Sequence, residues 1–298
     1  MASEATARSA AVEESDEGRS TAGKEISLSD REFEQIRAVI KEMTGINMGE
    51  SKRQLVYRRL ASRLKATNIS SFQAYLDHLK KGDAEELEAF SNAVTTNLTS
   101  FFRERHHFEF LANTVIPEIV AKRGSTSKRL RIWSAGCSTG EEPYSIAITL
   151  KESVKNLSSW DAKILCTDLD SEVLNTCKAG VYSQQRVEKI PQNRLRRWFR
   201  KSRSQRGELV KVSRELQDLT TFKQLNLMHE WPMKGRFDVI FCRNVIIYFD
   251  KPTQRILIDR YADILEDDAY LILGHSESLF KVSDRFTLLG NTIYRKTH

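Results

Sequence analysis

The chain has 298 residues, 40% of them hydrophobic, so it can bury a substantial core and form two domains. Its longest apolar runs, such as Val245–Phe249, are far shorter than the roughly 20 residues of a membrane-spanning helix. The N-terminus lacks the apolar core of a signal peptide. The four cysteines include no Cys-x-x-Cys pair, which argues against a disulfide framework or a zinc ribbon. We therefore expect a cytoplasmic protein with no membrane insertion and no metal site.

The formal net charge is +7 and is unevenly distributed. Residues 1–30 carry seven acidic and three basic side chains, so the remainder carries 44 Lys and Arg against 33 Asp and Glu, a net +11. A basic body favours an acidic partner such as nucleic acid, anionic lipid or an acidic protein surface. A merely solvated surface explains the same charge.

The first third of the chain shows only helical signals. Residues 1–25 contain no aromatic residue, Leu or Ile and predict a disordered acidic tail. Ser29-Asp-Arg-Glu32 is a capping-box pattern, and Gly45 can end the helix that it begins. A second helix is predicted over about 51–65, and further helical patterns cover about 71–80, 84–96 and 105–122. Residues 26–122 are therefore predicted to form an all-helical domain with its linker.

Residues 123–298 alternate strand and helix patterns. Strands are predicted at Leu130–Ala135, Lys163–Thr167, Thr221–Leu225, Phe237–Cys242 and Tyr270–Gly274, with helices at about 143–155, 171–179 and 252–265. This alternation predicts an α/β fold, a doubly wound parallel sheet with helices on both faces. Gly290-Asn291 marks a hairpin that adds an antiparallel pair at its end.

One basic segment interrupts the alternation. Residues 186–214 hold eleven Lys or Arg and two acidic residues. Its last part, Gly207–Val212, alternates like an exposed strand. We interpret about 186–220 as a small inserted β-subdomain, and such an insertion favours a partner-docking surface over a chance loop.

The turn after the first predicted strand is the clearest candidate binding site. Gly136 and Gly140 lie between that strand and a helix start, where backbone N–H groups can meet a ligand. The full Gly-x-Gly-x-x-Gly pattern is missing, and Glu141 and Glu142 would repel a pyrophosphate. The turn therefore suits a cationic ligand better than a dinucleotide, and a tight turn without any ligand is the alternative.

Polar residues follow the other predicted strands. Asp168 ends the second strand, where nucleotide-binding sheets hold ribose hydroxyls, whereas Asp170 suits an N-cap of the next helix. Arg243 and Asn244 follow the fourth strand, and Asn226-Leu227 follows the third. We expect these side chains to meet at one edge of the sheet, with turn hydrogen bonds as the alternative for each.

The segment before the sheet is unusually polar. Thr95–Glu104 is rich in Asn and Thr, which lowers its helix propensity. Capping explains Thr99 or Ser100, while Arg103 is a candidate buried anchor for a carboxylate. His106 and His107 are adjacent, so on a helix they are expected to point apart and to be exposed or capping.

Five stretches together resemble the CheR-type family of chemotaxis receptor methyltransferases. The matching stretches are Thr95–Arg103, Ser134–Ser145, Asp168–Asp170, Phe241–Phe249 and Gly274-His-Ser-Glu277, and the similarity runs from about residue 28 to 295. The resemblance implies a class I (Rossmann-like) methyltransferase sheet, an N-terminal helical domain and an inserted β-subdomain.

The resemblance also implies S-adenosylmethionine as cofactor, with S-adenosylhomocysteine as product. Its cofactor contacts would be Asn97, Thr99, Arg103, Gly136, Glu142, Asp168, Asn226, Leu227, Arg243, Asn244 and Tyr248. Asp168 would take the ribose, Asn226 the adenine edge and Glu142 the ammonium group. Arg103 and Tyr248 are the expected catalytic residues, which position a substrate carboxylate.

The implied reaction is methylation of chemoreceptor glutamates, for sensory adaptation, by a monomer. The receptor's helical methylation region would be met by a basic helix carrying Lys52, Arg59 and Arg63, and by the β-subdomain. The loop Arg200–Arg206 of that subdomain has no glycine, which weakens the case for pentapeptide tethering.

Two other classes of protein remain as alternatives. A nucleic-acid methyltransferase would suit the basic charge, but the chain has Arg243–Tyr248 where amino-group methyltransferases carry an Asn/Asp-Pro-Pro-aromatic motif. A non-catalytic module that binds the cofactor and docks on receptors is disfavoured because Arg103 and Tyr248 are both present.

Overall fold

A computed structural model describes residues 26–204 and 207–297. The predicted acidic tail, residues 1–25, lies outside the described residues, as does part of the loop before Gly207. Within the described chain no helix is long and apolar enough to cross a bilayer.

The N-terminal unit is all-helical, as predicted. It consists of α1 (Asp30–Thr44), α2 (Arg53–Ala66), α3 (Phe72–Leu79) and α4 (Ala84–Val94), with a 3-10 turn at Glu50–Lys52. The Ser29–Glu32 capping box begins α1, and Gly45 ends it with a φ of 76°. Val56, Leu60 and Leu64 form the buried stripe of α2, which fixes this helix against the others.

The remaining elements alternate as the pattern predicted. In chain order they are α5 (His106–Phe110), a π-helical turn (Leu111–Val115), α6 (Ile116–Arg123), β1 (Arg129–Ala135), α7 (Glu141–Ser153), a 3-10 turn (Leu157–Ser159), β2 (Asp161–Asp168), α8 (Ser171–Ala179), β3 (Val181–Ser183), α9 (Gln184–Val187), α10 (Gln192–Trp198), β4 (Phe199–Ser204), β5 (Gly207–Val212), α11 (Arg214–Gln217), β6 (Thr220–Gln224), β7 (Phe237–Cys242), a 3-10 turn (Ile246–Tyr248), α12 (Lys251–Ile264), β8 (Leu265–Leu273), β9 (Phe286–Gly290) and β10 (Ile293–Lys296).

Seven strands form one sheet in the order β6-β2-β1-β7-β8-β10-β9. The first five are parallel, and the β9–β10 hairpin adds the antiparallel pair. β8 begins five residues before the predicted Tyr270, because its first half carries Glu266, Asp267 and Asp268 and lacks the apolar signal. The parallel arrangement brings the carboxyl ends of β1, β2 and β7 to one edge, where a ligand site is expected.

The inserted segment forms a separate antiparallel sheet in the order β3-β5-β4. Its first strand begins at Val181, ahead of the expected residue 186, because three residues are too short to give a strand pattern. The chain returns to the main sheet at Thr220, where β6 begins.

Residues 101–123 pack on the sheet and not on α1–α4. Phe108, Leu111 and Val115 share an apolar cluster with Ile132 of β1 and Ile146 of α7. The apolar face of this helical segment therefore covers the sheet.

Candidate active site

One cavity of about 280 Å³ lies at the carboxyl ends of β1, β2 and β7. The end of α1 and the segment after α4 close its other side. The eleven residues expected at the site all line it: Asn97, Thr99, Arg103, Gly136, Glu142, Asp168, Asn226, Leu227, Arg243, Asn244 and Tyr248. The cavity is also lined by Thr44, Ile46 and Met48, which sequence reasoning missed because their loop carries no charged or motif residue.

The glycines of the turn after β1 are required by its geometry. Gly136 has a φ of 81°, and a Cβ there would lie 2.4 Å from Cγ2 of Val245. Gly140 has a φ of 97° and precedes α7. Both conformations favour glycine, and the absence of a side chain at Gly136 keeps this cavity wall close to the loop after β7.

A buried ion pair joins β7 to the start of α7. Arg243 Nη1 donates to Glu142 Oε2 at 2.9 Å, and Ser134 Oγ donates to Glu142 Oε1 at 2.7 Å. Arg243 also donates from Nη2 to the carbonyl of Arg103. Its side chain is 2% exposed, yet its Nε has no partner within the part of the chain described. A buried unpaired donor is costly, so a ligand acceptor fits this wall of the cavity.

Asp168 and Asp170 have different environments although they are two residues apart. Asp168 accepts the N–H of Ser138 at 2.7 Å and that of Asp170 at 3.0 Å. Burial outweighs these hydrogen bonds and raises the pKa of Asp168 to about 6. Its cavity position and its two-oxygen acceptor group suit a diol.

Asp170 is the N-cap of α8, as predicted. Its Oδ1 accepts the N–H groups of Glu172 and Val173. Its Oδ2 accepts hydrogen bonds from Asn97 Nδ2 at 2.7 Å and Thr95 Oγ1 at 2.9 Å. This one carboxylate therefore ties the polar segment after α4 to the sheet.

Asn226 connects the cavity to the helical unit. Its Nδ2 donates to the carbonyl of Met43 at 2.7 Å, and its Oδ1 accepts the N–H of Met228 at 2.9 Å. Nearby, the N–H of Asn47 donates to the carbonyl of Tyr248 at 2.7 Å. The end of α1 is thus hydrogen-bonded to two loops of the cavity.

Arg103 is not the buried anchor that the sequence suggested. Its side chain is 30% exposed, and Nη1 donates to the carbonyl of Leu98 at 2.9 Å. Phe101 anchors the segment instead, with ring centroids 5.1 Å from Tyr182 and 5.4 Å from Phe199. Arg103 therefore lies at the mouth of the cavity, where a substrate can reach it.

The expectation that both histidines are exposed or capping is wrong for His107, which is fully buried. Its Nε2 lies 2.8 Å from the carbonyl of Asn291, in the β9–β10 turn that α5 packs against, and burial lowers its pKa to about 4. Ligand atoms of Glu104, His106 and His107 lie within 4.8 Å of one another. Arg243 Nη2 is 3.4 Å from the same Glu104 carboxylate and already supplies positive charge, so we assign no metal there.

Glu277 ends the Gly274-His-Ser-Glu277 stretch, but no role for its side chain was predicted from the sequence. This buried carboxylate accepts the N–H groups of Gly274 (2.6 Å), Asn244 (2.8 Å), Val245 (2.9 Å) and Ile247 (3.2 Å). It fixes the loops after β7 and β8 beside the cavity, and Asn244 adopts a φ of 59° there. The only sequence signal was an acidic residue near a strand end.

The basic face of α2 is largely used within the fold. Arg63 donates from Nε and Nη2 to Glu86, which is 7% exposed. Arg59 donates to the carbonyl of Val94 at 2.8 Å. Lys52 and Arg58 are exposed. Arg59 and Arg63, which were expected on a surface that meets the receptor, therefore have partners within the fold and hold α2 to α4 and the segment after it.

A parallel sheet with an antiparallel end pair, and a cavity at the carboxyl ends of its strands with an acid at the end of β2, is the arrangement expected of an S-adenosylmethionine-dependent methyltransferase. The family model of the CheR methyltransferase SAM binding domain matches residues 97–295, and that of its all-alpha domain matches residues 31–95. The chain belongs to the CheR methyltransferase family, and S-adenosylmethionine is its cofactor.

Relatives with curated descriptions match over most of their length. Chemotaxis protein methyltransferase 2 of Pseudomonas aeruginosa is 43% identical, covering 88% of this chain and 92% of the relative. A probable chemotaxis protein methyltransferase of Rhizobium etli is 41% identical (85% and 95%), and the Escherichia coli chemotaxis protein methyltransferase is 40% identical (90% and 92%). The solved structure of the N-methyltransferase NodS from Bradyrhizobium japonicum covers 65% of this chain and 97% of that chain at TM-score 0.36 and 11% identity, too low to add to the assignment.

Proposed function

We propose that the protein transfers the methyl group of S-adenosylmethionine to glutamate carboxylates in the cytoplasmic helical region of chemoreceptors, giving methyl esters. The observation that carries this is the cavity itself, which Arg103 and Tyr248 line together with residues that suit the cofactor. The relatives named chemotaxis protein methyltransferase support the setting.

The cavity residues fit the parts of the cofactor. Arg243 has a buried unpaired Nε donor for the cofactor carboxylate, and Glu142 offers negative charge for its ammonium group. Asp168 suits the ribose hydroxyls. Leu227 and Ile46 are buried apolar lining that suits the adenine. Asn226 supports this region by fixing the chain, because both polar ends of its amide already have partners.

The chain's residues have to position a carboxylate and exclude water. S-adenosylmethionine supplies a methyl group on a positively charged sulfur, which a glutamate carboxylate takes in line. A glutamate side chain, with a pKa of about 4.3, is ionised at neutral pH, so no general base is required. Arg103 and Tyr248 orient the carboxylate, and the helical unit covers the cavity and keeps water out. An Arg–carboxylate pair that is too tight would weaken the nucleophile. Because Arg103 is partly exposed, water weakens its pairing with the carboxylate.

The proposal is tested by incubating the full chain with methyl-labelled S-adenosylmethionine and receptor-bearing membranes. We expect base-labile label on receptor glutamates, located by peptide mass spectrometry. Receptors with those glutamates changed to alanine are the matched control. Label on nucleic acid, or base-stable label on the receptor, would contradict the proposal.

The proposed partner surfaces are the β3–β5 subdomain and the exposed cations of α2, and we propose that the enzyme works as a cytoplasmic monomer. Light scattering of the purified chain at micromolar concentration checks the monomer. A dimer mass would contradict it.

A further inference from the structure

His275 lies at the mouth of the cavity. Although its side chain is exposed, the residue makes two hydrogen bonds to Glu104. It follows β8, lines the cavity, and its side chain is 66% exposed. Its Nδ1 lies 2.9 Å from Glu104 Oε1, and its main-chain N–H donates to Glu104 Oε2 at 3.1 Å. Both bonds end on one carboxylate, so Glu104 orients the main chain of His275 and its imidazole ring together.

Glu104 is itself a fixed and ionised support. Burial opposes its charge, but the hydrogen bonds from His275 and the nearby guanidinium of Arg243 hold its pKa below the usual value. Because an ionised carboxylate only accepts hydrogen bonds, His275 Nδ1 must carry the proton in this pair. The contact with Glu104 therefore keeps a proton on Nδ1 and leaves Nε2 as the ring nitrogen that is not bonded to Glu104.

The loop that carries His275 is rigid on its other side as well. Glu277 accepts the N–H of Gly274, and the same carboxylate holds the loop after β7. A Cβ at Gly274 would lie 2.4 Å from Asn244 Nδ2, so the two loops are in close contact. Holding an exposed polar side chain in one orientation costs conformational entropy, which is typical of a binding residue.

We infer that His275 binds and orients the substrate carboxylate through Nε2, opposite the support that Glu104 gives to Nδ1. This inference rests on the proposed function and adds a substrate-binding residue to Arg103 and Tyr248. Nε2 has no hydrogen-bond partner within the described residues, so it is available. Binding a carboxylate through Nε2 requires the imidazolium form, in which Nδ1 donates to Glu104 and Nε2 donates to the glutamate. A neutral glutamine side chain would gain less from this contact, which favours the acidic substrate.

If His275 had a purely structural role, only its hydrogen bond to Glu104 would matter for activity. Two amide substitutions separate these roles, because Asn places an N–H donor near the position of Nδ1 and Gln places one near Nε2. His275→Asn keeps the contact with Glu104 and loses the donor to the substrate. His275→Gln has the opposite effect, so the variants are matched controls for each other.

The experiment measures kcat/KM for a soluble receptor fragment and Kd for S-adenosylhomocysteine with the full chain. We expect His275→Asn to lower kcat/KM about 10- to 100-fold, as for loss of a hydrogen bond to a charged group. We expect His275→Gln to retain more activity than His275→Asn, with both cofactor affinities within about twofold of the parent. Three results would each overturn the inference. They are wild-type kcat/KM in His275→Asn, a lower kcat/KM in His275→Gln than in His275→Asn, and a loss of cofactor affinity as large as the loss of kcat/KM.

Failure of the proposed function gives a different result. Binding of the fragment to enzyme saturated with S-adenosylhomocysteine is measured alongside turnover. Fragment binding that depends on His275 in an enzyme that labels no glutamate would contradict the reaction and support the binding role. Fragment binding equal in all three proteins would contradict the binding role, whatever the turnover.

Discussion

The helical unit and the carboxyl end of the sheet each contain an Arg–Glu pair with a buried carboxylate, and the two pairs differ in what they leave unsatisfied. Arg63 binds Glu86 through two nitrogens, and the hydroxyl of Tyr75 also donates to Glu86. Arg243 binds Glu142, which the hydroxyl of Ser134 also contacts, but Arg243 Nε remains unpaired beside a cavity. The first pair acts within the fold, whereas the second leaves a donor that suits a ligand acceptor.

The largest effect should come from Arg243→Gln. It leaves Glu142 buried without its charge partner, so we expect a loss of about 3–5 kcal/mol of unfolding free energy. We also expect S-adenosylhomocysteine affinity to fall at least about 100-fold. Urea unfolding and titration calorimetry measure the two quantities. Cofactor affinity within threefold of the parent would show that the comparison with Arg63 is wrong.

Arg63→Met should affect stability alone. Its side chain is 27% exposed, so we expect a smaller loss of about 3 kcal/mol. Cofactor affinity should stay within about twofold of the parent, because Arg63 does not line the cavity. Arg58→Met, on the exposed side of the same helix, is the control and should change stability by less than about 0.5 kcal/mol. A large loss of cofactor affinity in Arg63→Met would end the distinction between the two pairs.

The raised pKa of Asp168 predicts that cofactor affinity at the sheet site depends on pH, which has no counterpart in the helical unit. The pKa of Asp168 is raised to about 6, so its carboxylate is protonated as the pH falls below that value and accepts hydroxyl hydrogen bonds less well. We expect cofactor affinity to fall about tenfold from pH 7 to pH 5, following the protonated fraction. Asp168→Asn should bind more weakly at pH 7 and show a flat profile. A wild-type affinity that is constant over this range would contradict the ribose role.

The same shift acts on stability with the opposite sign. Because folding raises the pKa of Asp168 above 3.8, this group makes the cofactor-free protein less stable as the pH rises from about 4 to about 6. Unfolding of the parent and Asp168→Asn at both pH values isolates this contribution.

The smallest effect should come from Lys52, an exposed cation of the 3-10 turn that leads into α2. Lys52→Glu leaves the internal bonds of Arg59 and Arg63 intact and is expected to lower kcat/KM for the receptor about twofold at low salt. The difference should shrink as salt is added. Lys178→Glu, on α8, is the matched charge control. Equal effects of both variants would exclude a specific role for α2.

The sheet, its helices and the polar residues at the strand ends could be predicted from the sequence because period, turn residues and strand-end polarity are local signals. The full set of cavity residues, including Asn97, Thr99 and Tyr248, followed from the resemblance to the CheR family. The burial and the hydrogen-bond partners of individual side chains could not be predicted in this way. Arg103 follows two aromatic residues and was expected to be buried, but Phe101 takes the buried position. His107 and Arg63 find partners 184 and 23 residues away, which no local pattern contains. Glu277 acts through four main-chain N–H groups, a role without a residue-type signature.

The bonds from Asn226 to Met43 and from Asp170 to Asn97 mean that the helical unit does not respond independently of the cofactor. Whatever binds the native cavity stabilises every element whose position the cavity requires, by about 2.7 kcal/mol at a ligand concentration of 100 times Kd. Opening of α1 then becomes rarer as cofactor rises, and its amide exchange rate becomes a gauge of cofactor occupancy.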